Sequence, residues 1–333
     1  MRLVGVALAL LGLSGCSLLG DKTPDPTTVV HTRVTVRSDA SSVEKAREIL
    51  AARARALGWN AKVAVEGGDT LVVSVAGEVD PAPLVALGAL RFRKVLDMAP
   101  AVASGAGTPA EPGPVHTLDE VVAKLGPAWQ VAQGLSPTYA DPDAAQLEAL
   151  KPFRTLTPSE VAVLPIEMQL RVPTIRCQQL AGRHIDAVRR ADQRVVACDT
   201  VGTVKYLLDR AAVTTSDVRE AEAQREQATG SNVVTISFTA EGQVRWTALT
   251  REIIEGQGSR CTPPARGNQG NCLVAIVADH NVVTAPEVQA VITGDAQIAG
   301  SFSDTDAKAL ASQISGGELP VPLKITNTEV VRP

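Results

Sequence analysis

The pattern of apolar and polar positions becomes regular from about residue 28. In VVHTRVTVRS the apolar residues Val30, Val34 and Val36 fall in a strand pattern. SSVEKAREILAARARALG then places Val43, Ala46, Ile49, Leu50 and Leu57 on one side of a helix that Gly58 ends. AKVAVEGGDTLVVSVAG reads as two alternating strands around Glu66-Gly67-Gly68-Asp69, a hairpin. DPAPLVALGALRFRKVL adds a short helix and a strand ending near Leu96. Strand, helix, hairpin, helix and strand over residues 28–98 predict a small α+β base of ferredoxin type.

The pattern breaks at DMAPAVASGAGTPAEPGPV, residues 97–115, whose Ala, Gly and Pro content reads as a linker or long mobile loop. TLDEVVAKLG is a helix, and Thr157, Pro158 and Glu160 form a capping-box start. The rest of 99–197 reads as an irregular insertion. Beyond Asp199, GTVKYLLDRAAVTTSDVREAEAQRE runs into a polar helix, and Asn232 opens a strand and a helix. CLVAIVADHNVVTAP is a hairpin turning at Asp279-His280-Asn281, after which Thr284 and Glu287 frame a capped helix to Ile292. AQIAGSF is a strand, Ser303 and Asp306 cap the helix that follows, and ELPVPLKITNTEVVRP closes the sequence as a turn and a strand. Residues 198–317 read as a larger α+β head, and 318–333 as a return strand.

Composition narrows the partners. Lys and Arg total 32 against 36 Asp and Glu, and aromatics are only 3%, so neither phosphate neutralisation nor base stacking is provided for and no nucleic-acid partner is expected. At the amino terminus, Arg2 precedes an apolar run from Leu3 to Leu13, too short to span a bilayer as a helix and suited to a signal peptide over residues 1–15. Leu13-Ser14-Gly15-Cys16 resembles the bacterial lipobox, which implies lipidation of Cys16, cleavage before it and a polar tether over 16–27. The expected location is the extracytoplasmic face of the bacterial membrane, lipid-anchored.

Export suits the remaining cysteines, Cys177, Cys198, Cys261 and Cys272, an even number for an oxidising compartment. Four cysteines allow three pairings. Local bracketing favours Cys177 with Cys198 and Cys261 with Cys272, while a zinc site is the rival, disfavoured because no C-x-x-C pair exists. His31, His116, His184 and His280 are dispersed. His184 with Asp186 and Asp279 with His280 come nearest to acid–base or metal pairs, and both read first as surface or turn groups. Nucleophile-elbow, P-loop, H-E-x-x-H and dinucleotide fingerprints are absent, so neither an enzyme nor a cofactor is expected.

Two stretches resemble a known family. Over Asn232 to Ile325 the residues Pro286, Gly294, Ala296, Ile298, Gly300, Phe302, Ala307, Leu310, Gly317, Leu319, Pro320, Val321 and Pro322 stand in the pattern of SecD, a subunit of the bacterial Sec export machinery. AREILAARARALGWNAKVAVEGGDTLVVSVAGEVDP, with its R-x-x-x-L-G turn from Arg53 to Gly58, and GALRFRKV resemble the family's base and the strand after it. The resemblance implies a ferredoxin-like base interrupted by an α+β head, hinged to each other, the head contacting emerging polypeptide. Family members continue into transmembrane helices that couple proton movement to export; the sequence here ends at Pro333. The expectation is therefore a non-enzymatic, stand-alone lipoprotein that binds exported polypeptide or docks on SecD or SecF. Its rival is an envelope lipoprotein using the same fold to bind a small molecule or wall component.

Overall fold

The computed structural model describes residues 30–101, 109–135, 143–256 and 258–332. Cys16, the apolar run and the tether lie outside the described residues. The class is α+β, as the sequence patterns indicate.

The base begins with β1 (His31–Arg37), α1 (Val43–Ala56), β2 (Ala61–Val65) and β3 (Thr70–Ala76), and its sheet has the order β1-β3-β2 with both pairings antiparallel. Period-two alternation puts Val34 and Val36 of β1 and Leu71, Val73 and Val75 of β3 into the core. Beneath them, α1 presents Val43, Ala46, Ile49, Leu50, Arg53 and Ala54.

After α2 (Ala82–Val85), β4 (Leu90–Pro100) leaves the base. The reading of residues 28–98 as one unit needs correction here, because β4 pairs with strands of the head on both sides. Six successive buried positions, from Leu90 to Val95, explain the switch: a strand covered on both faces belongs inside a closed structure.

Residues 109–135 and 143–189 are not irregular. They fold as α3 (Leu118–Leu125), α4 (Pro127–Gln133), α5 (Ala144–Ala149), α6 (Pro158–Ala162), α7 (Ile166–Arg171), α8 (Cys177–Ala181) and α9 (Asp186–Arg189), around a core of their own that includes Val121, Leu125, Leu150, Phe153, Val161 and Leu170. The longest of these helices has eight residues, too few for a 3.6-residue period to show. Capping boxes at Thr117/Glu120 and Thr157/Glu160 start two of them, and buried Glu160 also accepts from Lys124 Nζ at 2.7 Å, tying α3 to α6. The described part of the presumed linker is pinned rather than loose: Ala110 N donates to Gln178 O and Ser159 N to Pro112 O.

The chain continues through β5 (Val195–Asp199), β6 (Val204–Thr214), β7 (Val218–Arg225), β8 (Asn232–Phe238), α10 (Ala240–Gly256), β9 (Val274–Ala278), β10 (Asn281–Thr284), β11 (Ala296–Phe302) and α11 (Asp304–Gly316) of the head to the return strand β12 (Lys324–Val331). A closed barrel of order β10-β5-β6-β4-β9 and a second sheet, β11-β8-β7, form the frame of the head. The apolar run in β5 divides by alternation: Val195 and Ala197 face the main core, Val196 and Cys198 the helical one. Between β4, β8 and α10, Phe92 meets both Phe238 and Trp246 edge-on, with Phe92 and Trp246 centroids 5.3 Å apart.

Two head elements differ from expectation. DVREAEAQRE is the strand β7, with Ala221 and Ala223 turned inward at a spacing of two; its charged residues alternate with alanines and mimic a polar helix. No helix follows Thr284, because Glu287 accepts instead from Gln269 N at 2.9 Å and Asn271 N at 2.9 Å, bracing the loop closed by the Cys261–Cys272 disulfide. The other disulfide joins Cys177 of α8 to Cys198 of β5, fastening the helical unit to the barrel. Finally, α11 packs on both α1 and β7, and β12 returns to lie along β1, where Thr326 Oγ1 donates to Thr35 O at 3.2 Å. Among the described residues no helix is long and apolar enough to cross a membrane.

Candidate functional site at the base–head junction

Arg53 occupies a position that spacing assigns to the core. Ala46, Leu50 and Arg53 lie four and three residues apart on α1, and the guanidinium is fully buried. It donates to Leu84 O at 2.7 Å, Leu87 O at 2.9 Å and Gly317 O at 2.7 Å, and also to Ala86 O. One side chain of the base thus gathers the end of α2, the lead into β4 and the last turn of α11. The chain must pass close to permit this. A Cβ at Gly88 would strike Arg53 Nη2 and one at Gly316 would strike Arg53 Cγ, and Gly88 also has a φ of +77° that favours glycine.

Burial lowers the Arg53 pKa to about 10, and nearby Asp279 partly offsets this, so the group is charged at neutral pH. Asp279 sits at the β9–β10 turn with φ 54°. Its carboxylate accepts from Ala89 N at 2.8 Å and its own N–H donates to Ala89 O at 2.8 Å. Burial raises its pKa, against the pull of these backbone donors and Arg53. Asp279 is therefore a brace for the strand entry.

A second lock lies at Glu318, the residue after Gly317. Its carboxylate accepts from Arg91 Nη2 at 3.0 Å and Arg189 Nε at 2.6 Å. Arg189 also donates to Pro320 O at 2.8 Å, and Thr215 Oγ1 accepts from Leu90 N at 2.7 Å. Arg91 and Glu318 side chains are 8% and 16% exposed, so water screens their attraction little. Between these locks opens a cavity of about 490 Å³ lined by Lys45 and Ile49 of the base and by Arg91, Thr215, Gly317 and Glu318 of the head and return segment. Among its hydroxyls, Thr215 Oγ1 donates to Glu318 Oε2 at 3.4 Å, and that carboxylate is already held by two arginines, so the arrangement holds backbone in place across base and head.

Of the residues singled out from sequence, Asp279 falls at this junction, whereas the histidines fall elsewhere. His184 and Asp186 pair at 3.2 Å on the surface, their side chains 73% and 69% exposed. His280 is set inside: burial lowers its pKa to about 4, with Arg183 adding to the effect, and its Nε2 is buried without a partner. His116 lies 3.6 Å from Glu120. Sequence reasoning passed over Glu318, Arg189 and the roles of Arg53 and Arg91. The available signal was a charge at an apolar-face position, in α1 and in the run Leu90–Lys94.

An α+β molecule with a strand-rich head braced on a small base is the class these features define. Residues 193–321 match the family model described as SecDF, P1 head subdomain. The likeness to SecD extends along the sequence: the chain is 36% identical over 140 residues to "Protein translocase subunit SecD" of Streptomyces coelicolor, covering 40% of this chain and 23% of that one. It is 28% identical over 224 residues to the protein of the same name from Endomicrobium trichonymphae, covering 65% and 43%. A solved structure titled "Structure and function of a membrane component SecDF that enhances protein export" aligns over 89% of this chain and 98% of that chain with TM-score 0.45 and 22% identity. The chain thus spans about a quarter to under a half of the curated relatives it matches.

Proposed function

We propose that this chain is a lipid-anchored extracytoplasmic protein that acts in protein export, its head binding exported polypeptide or docking on a Sec-type membrane partner. The observation that carries the reading is the match of residues 193–321 to the SecDF P1 head subdomain, together with relatives named as translocase subunits. In this reading Cys16 carries the lipid, the base is ferredoxin-like with β12 as the strand beside β1, and the protein performs no chemistry of its own. The junction supports it: Arg53 and Gly317 belong to the two stretches that resemble SecD, and they meet through a hydrogen bond although 264 positions apart.

The mature protein, immobilised, should retain an unfolded secretory polypeptide or Sec subunits from solubilised membranes. Retention of neither, by protein that melts cooperatively, would contradict the proposal. Mass spectrometry of the membrane fraction tests the anchor, which predicts an acylated Cys16 at the mature amino terminus.

A further inference from the structure

Away from the junction, a pocket of about 230 Å³ lies where the helical unit meets the barrel, lined by α7, α9 and the turn leading into β5. Its charged lining is one-sided. Arg183, Arg190 and Arg194 contribute guanidiniums, Gln169 and Gln193 amides, and Asp186 the single carboxylate. Asp186 is in turn taken by His184 at 3.2 Å.

Arg183 is 5% exposed, yet all its hydrogen bonds go to neutral acceptors: Leu180 O at 2.8 Å, Gln169 Oε1 at 2.7 Å, and Val196 O. Among the described residues no carboxylate lies within ion-pair distance of it. A buried charge without a counter-ion is costly. Burial accordingly lowers its pKa to about 10, which leaves it charged at neutral pH.

Arg190 and Arg194 approach Asp192 and Asp209 through Nε at 3.7 and 3.6 Å, longer than a hydrogen bond. Neither guanidinium makes a hydrogen bond among the described residues, and both side chains are 57% exposed. The pocket thus combines one fixed, buried guanidinium with two adjustable ones at its mouth. Planar forks of this kind match tetrahedral oxyanions through paired N–H donors.

We propose that this pocket is a binding site for a phosphate group, whether free phosphate or the phosphate of an ester. The anion supplies the counter-charge that Arg183 lacks, with Arg190 and Arg194 closing on it from the solvent side. This goes beyond the export reading and does not depend on it.

Calorimetric titration of the mature protein with inorganic phosphate at constant ionic strength tests the site. Saturable one-to-one binding is expected, weakened tenfold or more in the R190A/R194A double variant. Both positions are exposed, and an unchanged melting temperature without phosphate would verify that the variant folds. Glycerol 3-phosphate is the second probe: displacement of phosphate supports the site with an ester as the source, and saturable phosphate binding without displacement supports it with free phosphate as the source. Absence of saturable binding by the wild-type protein up to 10 mM phosphate, a threshold of roughly 3 kcal/mol in affinity, overturns the proposal. Equal binding by wild type and double variant overturns it too.

Discussion

Arg53→Ala is the sharpest perturbation of the junction. The substitution strips the common donor from four carbonyls at the end of α2, the entry to β4 and the end of α11. A buried acceptor left without its donor costs about 1–3 kcal/mol. Against that loss stands the relief of no longer burying a guanidinium, several kcal/mol in proteins. The cavity left by a long side chain that is fully buried between Gly88 and Gly316 adds to the loss. The net expectation is destabilisation by about 4 kcal/mol. For a chain of this size that corresponds to a fall in melting temperature of roughly 6 °C. Arg53→Lys keeps the charge but cannot fork to several carbonyls, so it should recover less than half of the difference. Scanning calorimetry reads the shift, and limited proteolysis reads where the chain loosens, with new cleavage expected around residues 84–89 and 317–320. A melting temperature within about 2 °C of wild type, with no new cleavage, would refute the account of Arg53 as the clamp.

Glu318→Gln should cost about 2 kcal/mol, because two arginines then share a neutral acceptor, and denaturant titration of the single variant against the wild type checks it. His280 has a folded pKa of about 4 and an unfolded value near 6.5, so the unfolded chain binds the extra proton between those limits. Its contribution is fully present above pH 6.5 and falls by about 3 kcal/mol toward pH 4; His280→Gln should remove that part of the acid slope in a comparison of stability curves. Lys205, fully buried and donating to Val172 O at 2.7 Å, has its pKa lowered by burial to about 7, so stability should rise with pH from there to about 10 and stay flat in Lys205→Met. The Cys177→Ser/Cys198→Ser variant should lose about 3 kcal/mol by loop entropy and expose the helical unit first, read by hydrogen exchange at α6–α8.

The sequence was most legible where one period ran long enough to be counted. The 14-residue helix α1, the alternating β1 and β3, and the capping boxes at Thr157 and Ser303 follow from spacing and hydrogen-bond chemistry alone. The helical unit between β4 and β5 was not legible, because its order comes from packing Phe153, Leu170 and Ile175 around one core and from a disulfide that joins distant segments. Strand β7 was misread because Glu220, Glu222 and Gln224 are exposed while only small alanines turn inward, so hydrophobic contrast is weak. The β11-β8-β7 sheet also depends on a tertiary contact: Ser315 Oγ of α11 both accepts from Ala221 N and donates to Ala221 O, at 2.8 Å each, closing that position on the edge of β7. At the junction, the partners of Arg53 and Glu318 are backbone carbonyls and arginines scattered over the chain, which no local pattern records. What the sequence did carry was their oddity, an arginine on an apolar face and a glutamate inside the G-x-L-P-V-P stretch.

The central proposal is that the head binds exported polypeptide or docks on a Sec-type membrane partner. A photoreactive amino acid at Val244, which is 70% exposed on α10 of the head, reports its neighbours in intact cells. During export, crosslinks to a secretory polypeptide or to a Sec subunit are predicted, and they should diminish when translocation is blocked before the chain emerges. Protein that is folded and present at the membrane but crosslinks to neither, from Val244 and from Val201 alike, would contradict the account.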